Sequence, residues 1–157
     1  MPRPILLSWS AGKDAAWTLH ALRQRGEFEV VGMLTTLTEG YGRVAMQGIR
    51  HDVLLAQANA IGLPLIEAWM PQAADNAAYE RSFADALARA RERWPGLDRI
   101  AFGDLLLADV RDWRQALCAR LGWSAVFPLF GSVTGVLARD MIEGGLRASL
   151  CCVDSTQ

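Results

Sequence analysis

Apolar residues along this chain fall in short unbroken runs that alternate with longer stretches of helical spacing. Ile5 to Trp9 is the first run, and Lys13 to Arg25 follows with Ala16, Leu19, His20 and Leu22 on a helical repeat, which predicts a strand feeding a helix. Gly26 closes that helix, and Glu29 to Thr36 (EVVGMLTT) predicts a second strand. The order then recurs. Helix Met46 to Ile61 precedes strand Leu63 to Trp69, helix Asn76 to Trp94 precedes strand Arg99 to Phe102, helix Val110 to Leu121 precedes strand Ala125 to Leu129, and helix Thr134 to Glu143 precedes strand Arg147 to Val153.

Six strands without strict apolar/polar alternation, separated by five helices, indicate a mostly parallel sheet covered on both faces. Right-handed crossovers make it a doubly wound α/β sandwich. Ligands of such sheets bind beyond the carboxyl ends of the strands, and the loop-like stretch Thr38 to Val44 lies just past the second one.

Composition narrows the picture. A chain of 157 residues, 52% hydrophobic, can bury one core, so one domain is expected. Sixteen basic and 17 acidic residues give a net charge of -1, without the basic excess that would point to nucleic acid as a partner. The apolar stretch Pro4 to Trp9 is too short to export or anchor the chain, so no membrane partner and a cytoplasmic location are expected. Cys118, Cys151 and Cys152 lack the spacing of a zinc site or a disulfide framework and read as small buried hydrophobes. The two histidines, His20 and His51, read as locally satisfied side chains.

The candidate chemistry lies at the first strand-to-helix turn, Ser8-Trp9-Ser10-Ala11-Gly12-Lys13-Asp14-Ala15. Small residues there let backbone amides approach a phosphate, the helix start adds partial positive charge, and Lys13 adds a full one. Asp14 would repel a phosphate unless Mg²⁺ lay between them, so its presence suggests a metal–nucleotide site. This is not a Walker A loop, because Leu7 stands where that pattern needs glycine and Asp14 where it needs Ser or Thr. The loose G-x-G-x-x-A of Gly40 to Ala45 follows the second strand, the wrong place for a dinucleotide fingerprint.

Ser10 to Ala15 resembles the S-G-G-K-D-S signature of the PP-loop ATP pyrophosphatases, with Ala11 for one glycine and Ala15 for the final serine. Met46-Gln47-Gly48-Ile49-Arg50, Gln57-Ala58 and Gly62-Leu63-Pro64-Leu65 are similar to the M-H-G-V-R, Q-A and G-L/I-P-L run of the diphthine ammonia ligase family within that group. Phe102-Gly103-Asp104-Leu105, Arg111, Leu121-Gly122 and Pro128-Leu129-Phe130 are similar to its F-G-D-I/L, R, L-G and P-L-W elements. Met141-Ile142, Gly145, Ala148 and Val153-Asp154 continue the register.

The resemblance implies a Rossmann-like, adenine nucleotide α-hydrolase-like three-layer sandwich that uses ATP, with Mg²⁺, and cleaves between the α and β phosphates. In eukaryotic and archaeal members the carboxylate of diphthine on elongation factor 2 is adenylated and ammonia displaces AMP. Carried onto this chain, the Ser10 hydroxyl, the backbone of Ala11, Gly12 and Ala15, and Lys13 would bind phosphate. Asp14 and Asp104 would hold Mg²⁺, with Lys13, Asp14 and Asp104 as the catalytic set, and Thr35 and Thr36 would meet the adenosine. Gly103 and Arg111 complete the expected ATP-binding residues; a helix-start turn capped by Asp104 and a surface ion pair at Arg111 are the alternatives.

Ala15 lacks the family's hydroxyl, worth about 1 kcal/mol of affinity. Gln47 replaces a frequent histidine, so no base is placed there. The family's G-E-N-G-E-F/Y-H-T segment near the acceptor site does not occur in these residues. Residues 1–157 are therefore expected to form one ATP-binding domain that binds ATP better than it turns it over. Its further partners would be ammonia and a carboxylate acceptor of unknown identity, with oligomeric state, a homo-oligomer included, left open. A non-catalytic ATP- or AMP-binding regulatory module is the alternative. Ala15 and the missing segment favour it; Lys13-Asp14 and Arg111 favour the enzyme.

Overall fold

Ile5, Leu6 and Leu7 are fully buried side by side, which an alternating strand at a solvated sheet would not allow. They belong to β1 (Arg3–Ser8), the strand from which the sheet grows in both directions. The computed structural model describes residues 1–156 and orders the elements as β1, α1 (Lys13–Arg25), β2 (Phe28–Thr38), β3 (Arg43–Val44), α2 (His51–Ile61), β4 (Leu65–Met70), α3 (Asn76–Arg93), β5 (Arg99–Ala101), α4 (Ala108–Arg120), β6 (Ser124–Val126) and α5 (Thr134–Glu143).

β1 pairs in parallel with β2, from Arg3↔Phe28 to Ser8↔Leu34, and with β5 through Leu6↔Ile100 and Leu7↔Ala101. β6 continues the sheet beyond β5, and β4 runs parallel to β2 from Met33↔Leu65 to Thr38↔Met70. The amides of Trp9 and Ala45 donate to the Leu34 and Thr36 carbonyls, two residues apart on one edge of β2. The short antiparallel β3 thus extends the lane that β1 vacates. Because the chain leaves β1 toward β2 first and reaches its other edge only with β5, the crevice beyond β1 is the topological switch point.

Successive strand residues feed two cores. Leu6, Leu34, Ile66, Ile100 and Phe102 pack with Phe83, Leu87, Leu117 and Cys118 of α3 and α4, whereas Ile5, Leu7, Met33, Leu37 and Ala101 pack with Leu19, Leu22 and Leu54 of α1 and α2. α5 adds a smaller cluster in which Leu137 and Met141 meet Trp17 of α1. This is the expected doubly wound, mostly parallel sandwich.

Two elements differ from the sequence expectation. The helix expected from Met46 begins at His51, because Met46 and Gly48 take φ of 65° and 69° and the amides of Gln47 and Gly48 close turns onto Ala45 and Val44. No strand forms over Arg147 to Val153, where Leu150 and Val153 are 89% and 71% exposed; the sixth strand is β3 instead. Cys151 and Cys152 are consequently exposed, and only Cys118 fills the buried role foreseen for all three.

Candidate functional site

Beyond β1 the chain is fixed from several sides. The buried Trp9 donates its indole N–H to Gln57 Oε1 at 2.9 Å, and Gln57 Nε2 donates to the Ala11 carbonyl at 3.2 Å, so α2 clamps the loop. Ala11 has φ 66°, a left-handed conformation that costs a non-glycine residue about 1 kcal/mol or more. The Gly12 amide approaches Ser10 Oγ at 3.4 Å. No side chain caps α1, whose first-turn amides are the positive end of a helix dipole.

A cavity of about 390 Å³ opens here, walled by Ser8, Ser10, Asp14 and Ala15 on one side and by Phe102 to Leu107 with Arg114 on the other. A second, of about 890 Å³, shares Ser8, Ser10, Gln47, Asp104, Leu107 and Arg114 with it and extends over Thr36, Thr38, Met70, Tyr79 and Trp113. Both are within the ~300–1,000 Å³ typical of small-molecule sites. Ala11, Met46 and Ala73 are the non-glycine residues with left-handed φ among those described; the latter two line the larger cavity, and Ala11 follows Ser10, which lines both. Backbone strain concentrates where the main chain serves a ligand.

Lys13 Nζ lies 2.7 Å from Asp14 Oδ1, with the lysine half exposed. An ion pair so solvated is worth little, so both partners are available to a ligand's charges. Gly103 lets the end of β5 abut α1. Asp104 follows it into the wall, where its Oδ2 is 2.9 Å from Arg114 Nε. Burial raises the pKa of the Tyr79 phenol, with Arg114 pulling it down.

The expected site residues Ser10, Asp14, Ala15, Gly103 and Asp104 thus meet around one cavity, with Ala11, Gly12 and Lys13 in the loop beneath. The two threonines separate. Thr36 lines the larger cavity, whereas Thr35 is buried on the opposite sheet face and donates its hydroxyl to the Trp9 carbonyl at 2.6 Å. Arg111 lines neither cavity; it pairs with Asp112 and lies over the Phe130 ring, 4.4 Å from its centroid. Arg114, one turn further along α4, lines both cavities where Arg111 lines neither. Arg114, Tyr79 and Trp113 went unread in the sequence, and Gln57 figured there only in the Q-A element, without a role at the loop. His51 pairs with Glu67 at 2.5 Å and His20 stacks on Trp17, both outside the cavities.

Residues 3–125, from the first strand into the last, match the family model of the diphthamide synthase N-terminal domain. The chain belongs to that family. Its fold is that of the PP-loop superfamily. In fold the chain is similar to the U34-tRNA thiolase NcsA from Methanococcus maripaludis, solved with its [4Fe-4S] cluster, with a TM-score of 0.53, 13% identity, and coverage of 96% of this chain and 62% of that one. The chain therefore spans less than two thirds of that structure's length. No curated protein matches it in sequence. Among the described residues no helix is long and apolar enough to cross a membrane, and no three His, Cys, Asp or Glu side chains gather as a metal cage.

Proposed function

We propose that this domain binds Mg–ATP on the Ser10–Asp14 loop and uses it to join a carboxylate to ammonia through an acyl-adenylate. The observation that carries the proposal is the uncapped α1 N-terminus, preceded by the strained Ala11, at the floor of a cavity placed at the switch point of the sheet. In the first step a carboxylate oxygen attacks the α-phosphorus and the bond to the β-phosphate breaks, releasing pyrophosphate. In the second, ammonia attacks the acyl carbon, the bond to AMP breaks, and a proton passes to solvent. Amides of α1 and the Lys13 ammonium are the groups available to the departing phosphates.

Asp14 fits a Mg²⁺ ion carried in by the nucleotide, because Mg²⁺ commonly takes one or two protein carboxylates and completes its shell with phosphate oxygens and water. Bound there, the ion would neutralise the pyrophosphate charge. Asp104 is already neutralised by Arg114, which leaves Asp14 as the residue to hold the ion.

The test begins with thermal shifts. Mg–ATP at 100 times its Kd should stabilise the wild type by about 2.7 kcal/mol, and Lys13→Ala should lose much of this. Asp14→Asn should lose Mg²⁺ dependence more than metal-free binding. Equal shifts for wild type and Lys13→Ala would remove the loop from the proposal. Pyrophosphate release is then assayed with ammonium and candidate carboxylates. Ala15, which brings a methyl rather than a hydroxyl to the cavity wall, favours a second reading as a non-catalytic ATP- or AMP-binding regulatory module. Tight nucleotide binding with no ammonium-dependent release would support that reading.

A further inference from the structure

The walls of the two cavities carry four carboxylates, Asp14, Asp75, Asp104 and Asp109, and among the described residues a single cation, Arg114. Neighbouring arginines are engaged elsewhere, Arg111 with Asp112 and Arg50 with Asp52. Arg114 lines both cavities and so stands at their junction. Three contacts hold its guanidinium plane: the Phe102 ring, with its centroid 4.7 Å away, the Tyr79 hydroxyl, 3.5 Å from Nη1, and Asp104 Oδ2, 2.9 Å from Nε.

The contact with Asp104 brings opposite charges together without a hydrogen bond. The Nε–H is not aimed at the oxygen, both atoms are buried, and neither finds another hydrogen-bond partner among the described residues. Buried polar atoms in native structures are nearly always bonded, and a guanidinium in a cavity wall whose pairing is incomplete is open to a ligand acceptor. An oxyanion accepts from Arg114 and not from Asp104, whose oxygen has no proton to give. A guanidinium presents its five N–H groups in one plane, matched to the paired oxygens of a carboxylate or phosphate.

We propose that Arg114 binds a ligand oxyanion where the two cavities meet, and that Asp104 is a positioning residue holding the guanidinium plane. The nature of the ligand rests on the functional reading above: the oxyanion belongs either to an ATP phosphate or to the acceptor carboxylate. The single charge of Arg114 is shared between Asp104 and the ligand, so it gives an anion one local point of attraction among carboxylates that otherwise repel it.

Calorimetry separates the two sources. Wild type, Arg114→Gln and Arg114→Lys are titrated with Mg–ATP, pyrophosphate and adenosine, then with succinate and glutarate in the presence of a non-hydrolysable ATP analogue. Arg114→Lys keeps a charge beside Asp104, and with it the fold, should Arg114→Gln fail to fold; circular dichroism checks both. A phosphate partner predicts a loss of about 10- to 100-fold for ATP and pyrophosphate in Arg114→Gln, with adenosine unchanged and a smaller loss in Arg114→Lys. An acceptor partner predicts unchanged ATP binding and a comparable loss for the dicarboxylates. Unaltered affinity of the folded variants for all these probes, or no binding of any by the wild type, overturns the inference. A wild type that binds pyrophosphate or dicarboxylate through Arg114 but not ATP removes the functional reading and leaves the oxyanion site standing.

Discussion

At position 11 an alanine occupies a backbone conformation that glycine adopts freely, φ 66°, between Ser10 and the first turn of α1. Relieving that conformation returns about 1–2 kcal/mol, while a glycine's extra freedom in the unfolded chain takes back about 0.4–1 kcal/mol. Ala11→Gly should therefore be neutral or stabilise by up to about 1.6 kcal/mol. Ala116→Gly, on the exposed face of α4, should destabilise by roughly 1 kcal/mol. Thermal melts of the two variants decide the matter, since equal losses would show that the left-handed turn carries no cost. The loop was legible because its residue types state their chemistry: small side chains, a lysine and an aspartate at a helix start. Thr35 and Thr36 were not separable by type. Neighbours in a strand face opposite sides, and only the sheet shows that the Thr35 side is the core holding Leu7 and Met33. Arg111 and Arg114 posed the same problem on a helix, where one turn of rotation decided which guanidinium reached the cavity and which lay against Phe130.

Between elements, the cradle depends on how closely β5 approaches α1. A Cβ built on Gly103 would lie 3.1 Å from both the Asp14 carbonyl oxygen and Thr18 Oγ1, atoms already joined by a 2.7 Å hydrogen bond in the first turn of α1. Backbone cannot yield there as a flexible side chain would. Gly103→Ala should thus shift the α1 N-terminus, destabilise the fold by about 1–3 kcal/mol, and raise the Kd for Mg–ATP. Unchanged affinity measured by calorimetry would mean that this abutment does not shape the cradle. The elements themselves were readable wherever periodicity coincided with burial, as in β1–α1 and α3. They were misread where it did not. Arg147 to Val153 is apolar enough for a strand, but no strand edge in the sheet takes it up, and its side chains remain exposed. Met46 to Arg50 continues a helical pattern that two left-handed residues override, and that irregular turn brings Gln47 into both cavities.

Across the whole molecule, the three thiols offer a probe that couples stability to ligand binding. Cys151 and Cys152 are exposed, while Cys118 lies in the core between α4 and the sheet with Phe83, Leu117 and Phe102. Burial pushes its pKa from 9.0 up to about 11, so the folded protein presents a protonated and inaccessible thiol. Two thiols should react at once with a maleimide, and the third only when the core opens. Holding this thiol neutral stabilises the fold fully below pH 9, and that contribution fades as pH rises toward about 11, because the unfolded thiol ionises first. Labelling is therefore run at pH 8, where stability does not yet depend on this group. When opening and closing outpace the reagent, the rate at Cys118 follows the population of the open form. Mg–ATP at 100 times its Kd contributes about 2.7 kcal/mol to the closed form, so labelling of Cys118 should slow by about 100-fold while Cys151 and Cys152 react as before. Lys13→Ala should lose much of that protection at the same ATP concentration, although residue 13 lies on the opposite face of the sheet from Cys118. Mass spectrometry of the labelled peptides reads all three sites in one sample. Rapid labelling of Cys118 without ligand would refute the packed α4 core, and ATP protection undiminished in Lys13→Ala would place the nucleotide somewhere other than the Ser10–Asp14 loop.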